Sequence, residues 1–330
     1  MPNRPKLSLW EHATLVGAIG NILVSLLSAS IAGLLRGSNG APTYGRHLYY
    51  SLTKALSGSM STRQMQALAP STQDGYKSFA KSNKFQPDIV KLKDGDETAA
   101  LWIGDKYAKN TILYLHGGGF AAYANPAQFQ LLWNSIEKVK ARGGEVAAFV
   151  VEYDLAPGAK YPRQVGQAIL ALEYLTKVAG KKYSQDHVEI VLGGDSAGAN
   201  LALAVLSHLM HPHPSLPAFA PSVSDNKLKG VFLISPWVTF SQTSQSLQSN
   251  ASKDVLDAKV LKQWSEAYMS NANTDEYNTP SHAITEWWDD VPVENMLVTT
   301  GGDELFRDDI LEFGHRIQVC FNTSLSTRHT

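Results

Sequence analysis

Short runs of consecutive apolar residues recur along this chain, separated by longer stretches whose apolar residues repeat with a different period. "TILYL" (111–115), "VAAFVVEY" (146–153), "VEIVL" (188–192), "GVFLIS" (230–235) and "NMLVTT" (295–300) have the continuous Val, Ile and Leu content of strands buried on both faces. Between them, "YPRQVGQAILALEYLTKVA" and "AGANLALAVLSHLM" place apolar residues three and four apart, the spacing of a helix with one face against a core. Strands and helices in alternation predict an α/β fold, a mainly parallel sheet with helices on both faces, over residues 101–330. Residues 36–100 are mixed and mostly helical in pattern. They are punctuated at "RGSNGAP" and "ALAPSTQ" and read as a cap or lid leading into that core. The proline-rich stretch 211–227, "HPHPSLPAFAPSVSDNK", reads as an exposed loop.

The N-terminal unit, residues 1–35, has a different character. From Ala13 to Leu35 no charged residue occurs, a stretch long enough to cross a bilayer as a helix. Asn21 and several serines and glycines dilute its hydrophobicity, and Ser25, Ala29 and Gly33 form a small-residue stripe suited to packing on another helix. Three readings stand: a membrane anchor, which is favoured; a cleaved signal peptide; and a soluble helix covering the domain. Flanking basic residues are too balanced to set an orientation.

Composition narrows the function classes. With 330 residues and 44% of them hydrophobic, the chain can bury a large core, and one globular domain is expected. Its 29 basic and 30 acidic residues nearly cancel and form no basic run, which argues against a nucleic-acid partner. Cys320 is the single cysteine, so no internal disulfide forms, and no zinc-type Cys/His spacing is present. His211 and His213 read as residues of a polar surface loop, and no metal or cofactor is expected. Sequons begin at Asn250 and Asn322 and matter only in a secretory lumen.

The chemistry concentrates in two glycine-rich turns. "VEIVL" runs into Gly194-Asp195-Ser196-Ala197-Gly198, a G-x-S-x-G sequence with a strand before it and a helix after it. That context is the nucleophile elbow, in which flanking glycines permit a strained turn that lifts Ser196 Oγ clear of the backbone. "TILYL" delivers "HGGGF", His116 to Phe120, to a strand end. Glycines there let backbone N–H groups approach an acyl oxygen, so Gly118 and Gly119, with the N–H of Ala197, are the candidate oxyanion hole. Gly117 belongs to the same motif, and His116 reads as shaping the turn. A phosphate-binding loop is the alternative, but the Lys-Ser/Thr ending of a P-loop is missing.

Together with "VEYDLAPGAKYP" (151–162), "ISPWVTF" (234–240) and "TTGGDELFRDD" (299–309), these motifs give the chain a resemblance to the hormone-sensitive-lipase class of α/β hydrolases. The resemblance covers about residues 100–316, and the longer signatures look most like fungal members related to steryl acetyl hydrolases. It implies the α/β-hydrolase fold and ester hydrolysis through an acyl-enzyme, often deacetylation of a small hydrophobic substrate. It also implies a place at the endoplasmic reticulum or in secondary metabolism, with a soluble cytoplasmic protein as the alternative. In the family the acid follows a strand, which points to Asp303; a helix N-cap is the competing role for that residue, and Asp308 and Asp309 read as exposed. The family's histidine comes one strand later. Of the two histidines beyond Asp303, His315 reads as a helix-surface residue, and His329 serves as base only if "IQVCFN" is the last strand and "TSLSTR" its loop. Because "VCFNTSLSTRHT" does not resemble the family's ending, the chain is expected to be atypical from about residue 317, with its last strand missing. Two rival functions follow: an impaired hydrolase-fold protein that binds an apolar ligand or partner, and acyl transfer with the same nucleophile. Trp237, Trp264, Trp287 and Trp288 either line an apolar pocket or belong to the core.

Overall fold

In a computed structural model that describes residues 4–35, 37, 41–92, 97–179, 189–218, 227–318 and 324–328, the apolar runs pair as one sheet. The five expected strands are Asn110–Leu115 (β3), Val146–Glu152 (β4), Glu189–Asp195 (β5), Gly230–Ile234 (β6) and Met296–Gly301 (β7). Two more, Asp88–Lys91 (β1) and Ala99–Ile103 (β2), arise from the end of the segment read as a lid. With Ser324–Arg328 as β8, the order is β1-β2-β4-β3-β5-β6-β7-β8; β1 and β2 are antiparallel to their neighbours, and the remaining pairs are parallel.

The expectation of a missing last strand is corrected. Ser324–Arg328 forms β8, parallel to β7, with Leu297 opposite Ser324 and Gly301 opposite Arg328. Ile317 and Gln318, read as the start of "IQVCFN", instead end the preceding helix, which buries Ile310, Phe313 and Ile317. Burying Ile317 in the helix shifts the strand to the following segment.

Helices cover both faces of the sheet. On one face, Thr72–Ser82 (α4) and Pro126–Lys140 (α5) pack Tyr76, Phe79, Phe129 and Leu132 onto Leu101, Ile103, Ile112 and Tyr114. On the other lie Arg163–Glu173 (α6), Ala197–Met210 (α7), Ala258–Met269 (α8) and Arg307–Gln318 (α9). Helix α7 is apolar almost all round because it is enclosed almost all round. Asn125 caps α5 in a reciprocal box with Gln128, and Pro126 occupies the first turn, where its missing N–H costs nothing.

The apolar N-terminal stretch is a single helix, Leu9–Ala32 (α1), begun by a capping box between Ser8 and Glu11. It packs along Tyr44–Ser59 (α2), burying Ala18 and Ile22, while Val16, Leu23, Val24 and Leu27 are exposed. Both its ends are tied down. At the start, Gln64 of Thr62–Leu68 (α3) donates to the Glu11 carbonyl at 2.7 Å, and Arg63 pairs with Glu11 at 2.8 Å. At the end, Tyr44 Oη donates to the Ser30 carbonyl and His47 Nε2 to that of Ala29, both at 3.0 Å.

The described start of the stretch 211–227, residues 211–218, is less exposed than its prolines suggest. His213 is buried, and its Nε2 lies 2.9 Å from Tyr161 Oη, which in turn donates to Asp275 at 2.7 Å. Asp308 and Asp309 are only partly exposed: they accept from the Ser246 N–H and the Ser244 hydroxyl, tying residues 244–246 to the start of α9. Asn250 is likewise buried rather than displayed as a glycan acceptor.

Candidate active site

Ser196 stands between the last residue of β5 and the first of α7, with φ 53° and ψ −118°. A non-glycine residue held there is strained, and such strain persists only where the surroundings over-determine it. They do so here. Ser196 N–H donates to the Ile234 carbonyl at 2.8 Å, and its carbonyl accepts from Trp237 N–H at 3.1 Å, so the elbow is pinned to the end of β6. Gly198 is required by closeness: a Cβ there would stand 2.0 Å from the Leu115 carbonyl oxygen, the end of β3.

The turn after β3 brings its glycines beside this elbow. Gly118 and Gly119 have φ +123° and +61°, conformations open mainly to glycine. The Gly118 carbonyl is turned back to accept from the N–H groups of Ala121 and Ala122. Among the described residues no acceptor stands against the N–H groups of Gly118 and Gly119. The N–H of Ala197, first residue of α7, is likewise outside the helical ladder. His116 is fully buried, donates from Nδ1 to the Gly117 carbonyl at 2.8 Å, and stacks on Tyr153 at 4.3 Å. Burial lowers its pKa and keeps the ring neutral.

The two adjacent acids after β7 have opposite surroundings. Asp303 is half exposed and pairs with Lys253 at 2.9 Å. Glu304 turns inward: Oε1 accepts from Ser235 Oγ at 2.6 Å and Oε2 from Thr300 Oγ1 at 3.3 Å. Burial raises its pKa above the ordinary carboxylate value. Ser235 also has positive φ, 48°, and directly follows Ile234, whose carbonyl holds Ser196. The Glu304 carboxylate therefore connects to the serine elbow through the end of β6. Its turn is fixed from below. Asn250 Nδ2 donates to the carbonyls of Gly302 and Glu304, buried Asp254 accepts from Leu305 N–H at 2.5 Å, and Ser246 Oγ donates to the Leu305 carbonyl at 2.7 Å.

Sequence reasoning passed over Glu304 because "GGDELF" offers two acids side by side, and only the direction of the turn separates them. It also passed over Asp195, whose carboxylate faces the glycine turn. The four tryptophans divide. Trp264 of α8 lies where a Gly119 side chain would be, at 2.1 Å from the position of its Cβ, and Trp237 is bonded to Ser196. Trp287 instead packs at a tilt against His211, and Trp288 packs edge-on against Phe313 in the core. His315 is exposed on α9, and His329 lies outside the described residues. A cavity of about 860 Å³ lies on the α5 side of the sheet, bounded by Leu132, Val191, Phe232 and Thr299, and reaches Glu304 at one end; Ser196 does not line it.

A family model described as alpha/beta hydrolase fold matches residues 112–326. Steryl acetyl hydrolase 1 of Saccharomyces cerevisiae is 27% identical over 213 residues, covering 61% of this chain and 46% of its own length. An esterase of Acinetobacter venetianus is 27% identical over 213 residues, covering 64% of this chain and 62% of its own. The chain thus spans less than two thirds of either relative. Among solved structures, carboxyl esterase 2 from Tuber melanosporum matches with a TM-score of 0.60 at 21% identity, over 73% of this chain and 76% of that one. An esterase from the bacterial hormone-sensitive lipase family matches at 0.57 and 23% identity, over 80% and 84%. At these identities the superpositions speak for the fold.

Proposed function

Because the chain belongs to the α/β-hydrolase fold family, on its hormone-sensitive-lipase-like branch, we propose that it is a serine carboxylic ester hydrolase acting on small hydrophobic esters, acetyl esters foremost. The observation that carries this reading is Ser196 at positive φ, pinned to β6 beside two glycine N–H groups that have no acceptor among the described residues. Ser196 Oγ attacks the ester carbonyl, and the oxyanion is held by the N–H groups of Gly118, Gly119 and Ala197. The alcohol leaves, and water releases the acid from the acyl-enzyme.

For the acid of the triad we assign Glu304 in place of Asp303. A carboxylate that orients a histidine and stabilises its imidazolium must be held still, and of the two Glu304 is the one that is largely buried and fixed by two hydroxyls, whereas Asp303 pairs with Lys253 at the surface. His329 is assigned as the base on the ground that β8 ends at Arg328, opposite Gly301, three residues before Glu304. The steryl acetyl hydrolase relative and the aromatic surround of Gly119 support an apolar substrate. The exposed apolar side of α1, long enough to cross a bilayer, supports a membrane location for the enzyme.

A binding protein without turnover is the second reading. It is favoured by the fact that the side-chain donors to Glu304 among the described residues are the hydroxyls of Ser235 and Thr300 alone. Hydrolysis of p-nitrophenyl acetate by the purified chain, with Ser196→Ala beside it, decides between them. Turnover that the variant loses by about 10⁴-fold or more supports the hydrolase. Equal rates in both proteins overturn it in favour of the binding protein.

A further inference from the structure

The residue before the nucleophile is an aspartate whose carboxylate does not face Ser196. It points into the glycine turn after β3. Asp195 Oδ1 accepts from Gly117 N–H at 2.7 Å and from Tyr114 Oη at 2.5 Å, and Gln128 Nε2 donates to Oδ2 at 2.9 Å and to Oδ1 at 3.1 Å. One carboxylate therefore joins four elements: the serine elbow, strand β3, the glycine turn and helix α5. Gly117 has no side chain because a Cβ there would meet Asp195 Oδ2 at 2.3 Å.

We propose that Asp195 is the positioning residue of the oxyanion hole, fixing the glycine turn to the elbow so that the N–H groups of Gly118 and Gly119 stand beside Ser196 in one geometry. This rests on the esterase reading above. Three donors converge on Asp195, and a carboxylate meets them all because it carries acceptors on both oxygens and no hydrogen. The amide of Asn would not. Gln128 cannot turn its own oxygen toward such an amide, because Gln128 Oε1 already accepts from Asn125 N–H at 2.8 Å in the cap of α5. An Asn amide nitrogen at the Oδ2 position would face the Gln128 amide nitrogen, donor against donor. Repulsion between them turns the side chain, and with it moves the oxygen on which the Gly117 and Tyr114 contacts depend.

That orientation supplies a test by charge exchange. Asp195→Asn, Gln128→Glu and the double variant are prepared in the full chain, and kcat, KM and melting temperature are measured for each. In Asp195→Asn, kcat is expected to fall about tenfold with KM within about twofold, because a displaced donor weakens transition-state binding more than substrate binding. Gln128→Glu sets two carboxylates against each other and is expected to lose as much or more. In the double variant the Glu oxygens accept from both Asn125 and the new amide, and kcat is expected to return to within about threefold of the original. No loss in Asp195→Asn, a loss shared equally by KM, or a double variant no better than the single ones overturns the proposal. Should the unaltered chain show no ester turnover, the esterase reading fails by itself. Amide hydrogen exchange at Gly117, whose N–H the Asp195 carboxylate accepts, then decides the clamp: about tenfold faster exchange in Asp195→Asn, restored in the double variant, upholds it, and unchanged exchange overturns it.

Discussion

Glutamine at position 304 would preserve the shape of the side chain and its hydrogen bond from Ser235, but not its charge. If Glu304 holds the base and offsets its positive charge, Glu304→Gln is expected to lower kcat by about 10⁴-fold, as amide replacement of a triad acid does elsewhere. Asp303→Asn removes one exposed ion pair with Lys253, an interaction worth about 0–1 kcal/mol, and is expected to leave kcat within about threefold. Steady-state kinetics on the two variants separates neighbours that sequence alone could not. The reverse ranking would return the acid to Asp303 and make Glu304 a buried brace between β6 and β7. Asn250 teaches the same lesson at a different position. Its Asn-Ala-Ser pattern reads as a glycan acceptor, yet its amide nitrogen is committed to the carbonyls of Gly302 and Glu304, inside the turn after β7.

Elements meet here through glycines whose missing side chains are occupied by something else. The start of α7 presses on the end of β3 so closely that a methyl at Gly198 cannot be accommodated without moving backbone. Gly17, in the exposed middle of α1, has nothing within 4 Å. Gly198→Ala is therefore expected to destabilise the protein by about 3 kcal/mol or more and to abolish reaction at Ser196, since overpacking forces the backbone apart. Gly17→Ala is expected to stabilise α1 by up to about 1 kcal/mol through helix propensity. Urea midpoints measured on both variants check the contrast; equal shifts would mean that α7 can retreat from β3 at little cost. The elbow was legible in "GGDSAGAN" because its glycines serve a local turn, whereas the contact that makes Gly198 indispensable comes from a strand some eighty residues earlier.

For the whole molecule, α1 is both part of the fold and a surface out of place in water. Its ends are bonded to α2 and α3, while its middle exposes Val16, Ile19, Leu23, Val24 and Leu27. With vesicles of neutral phospholipid, the full chain is expected to float in a density gradient. Replacing Leu23, Val24 and Leu27 by glutamine is expected to leave it at the bottom with its ester hydrolysis intact. Flotation of the variant would mean that another surface binds lipid. By itself the sequence determined the parallel strands β3 to β7, the tight turn at Ser196, the glycine turn and the long apolar helix. Each of these is written in consecutive residues, as an apolar run, a glycine pattern or a period. Only the tertiary structure decided that residues 88–103 join the sheet and that the last strand is Ser324–Arg328. It also decided that Glu304 rather than Asp303 turns inward, and that Asp195 grips the glycine turn. Those outcomes depend on what a side chain finds opposite it after strands far apart in sequence have paired, and short stretches of similar acids or weakly apolar residues do not carry that information locally.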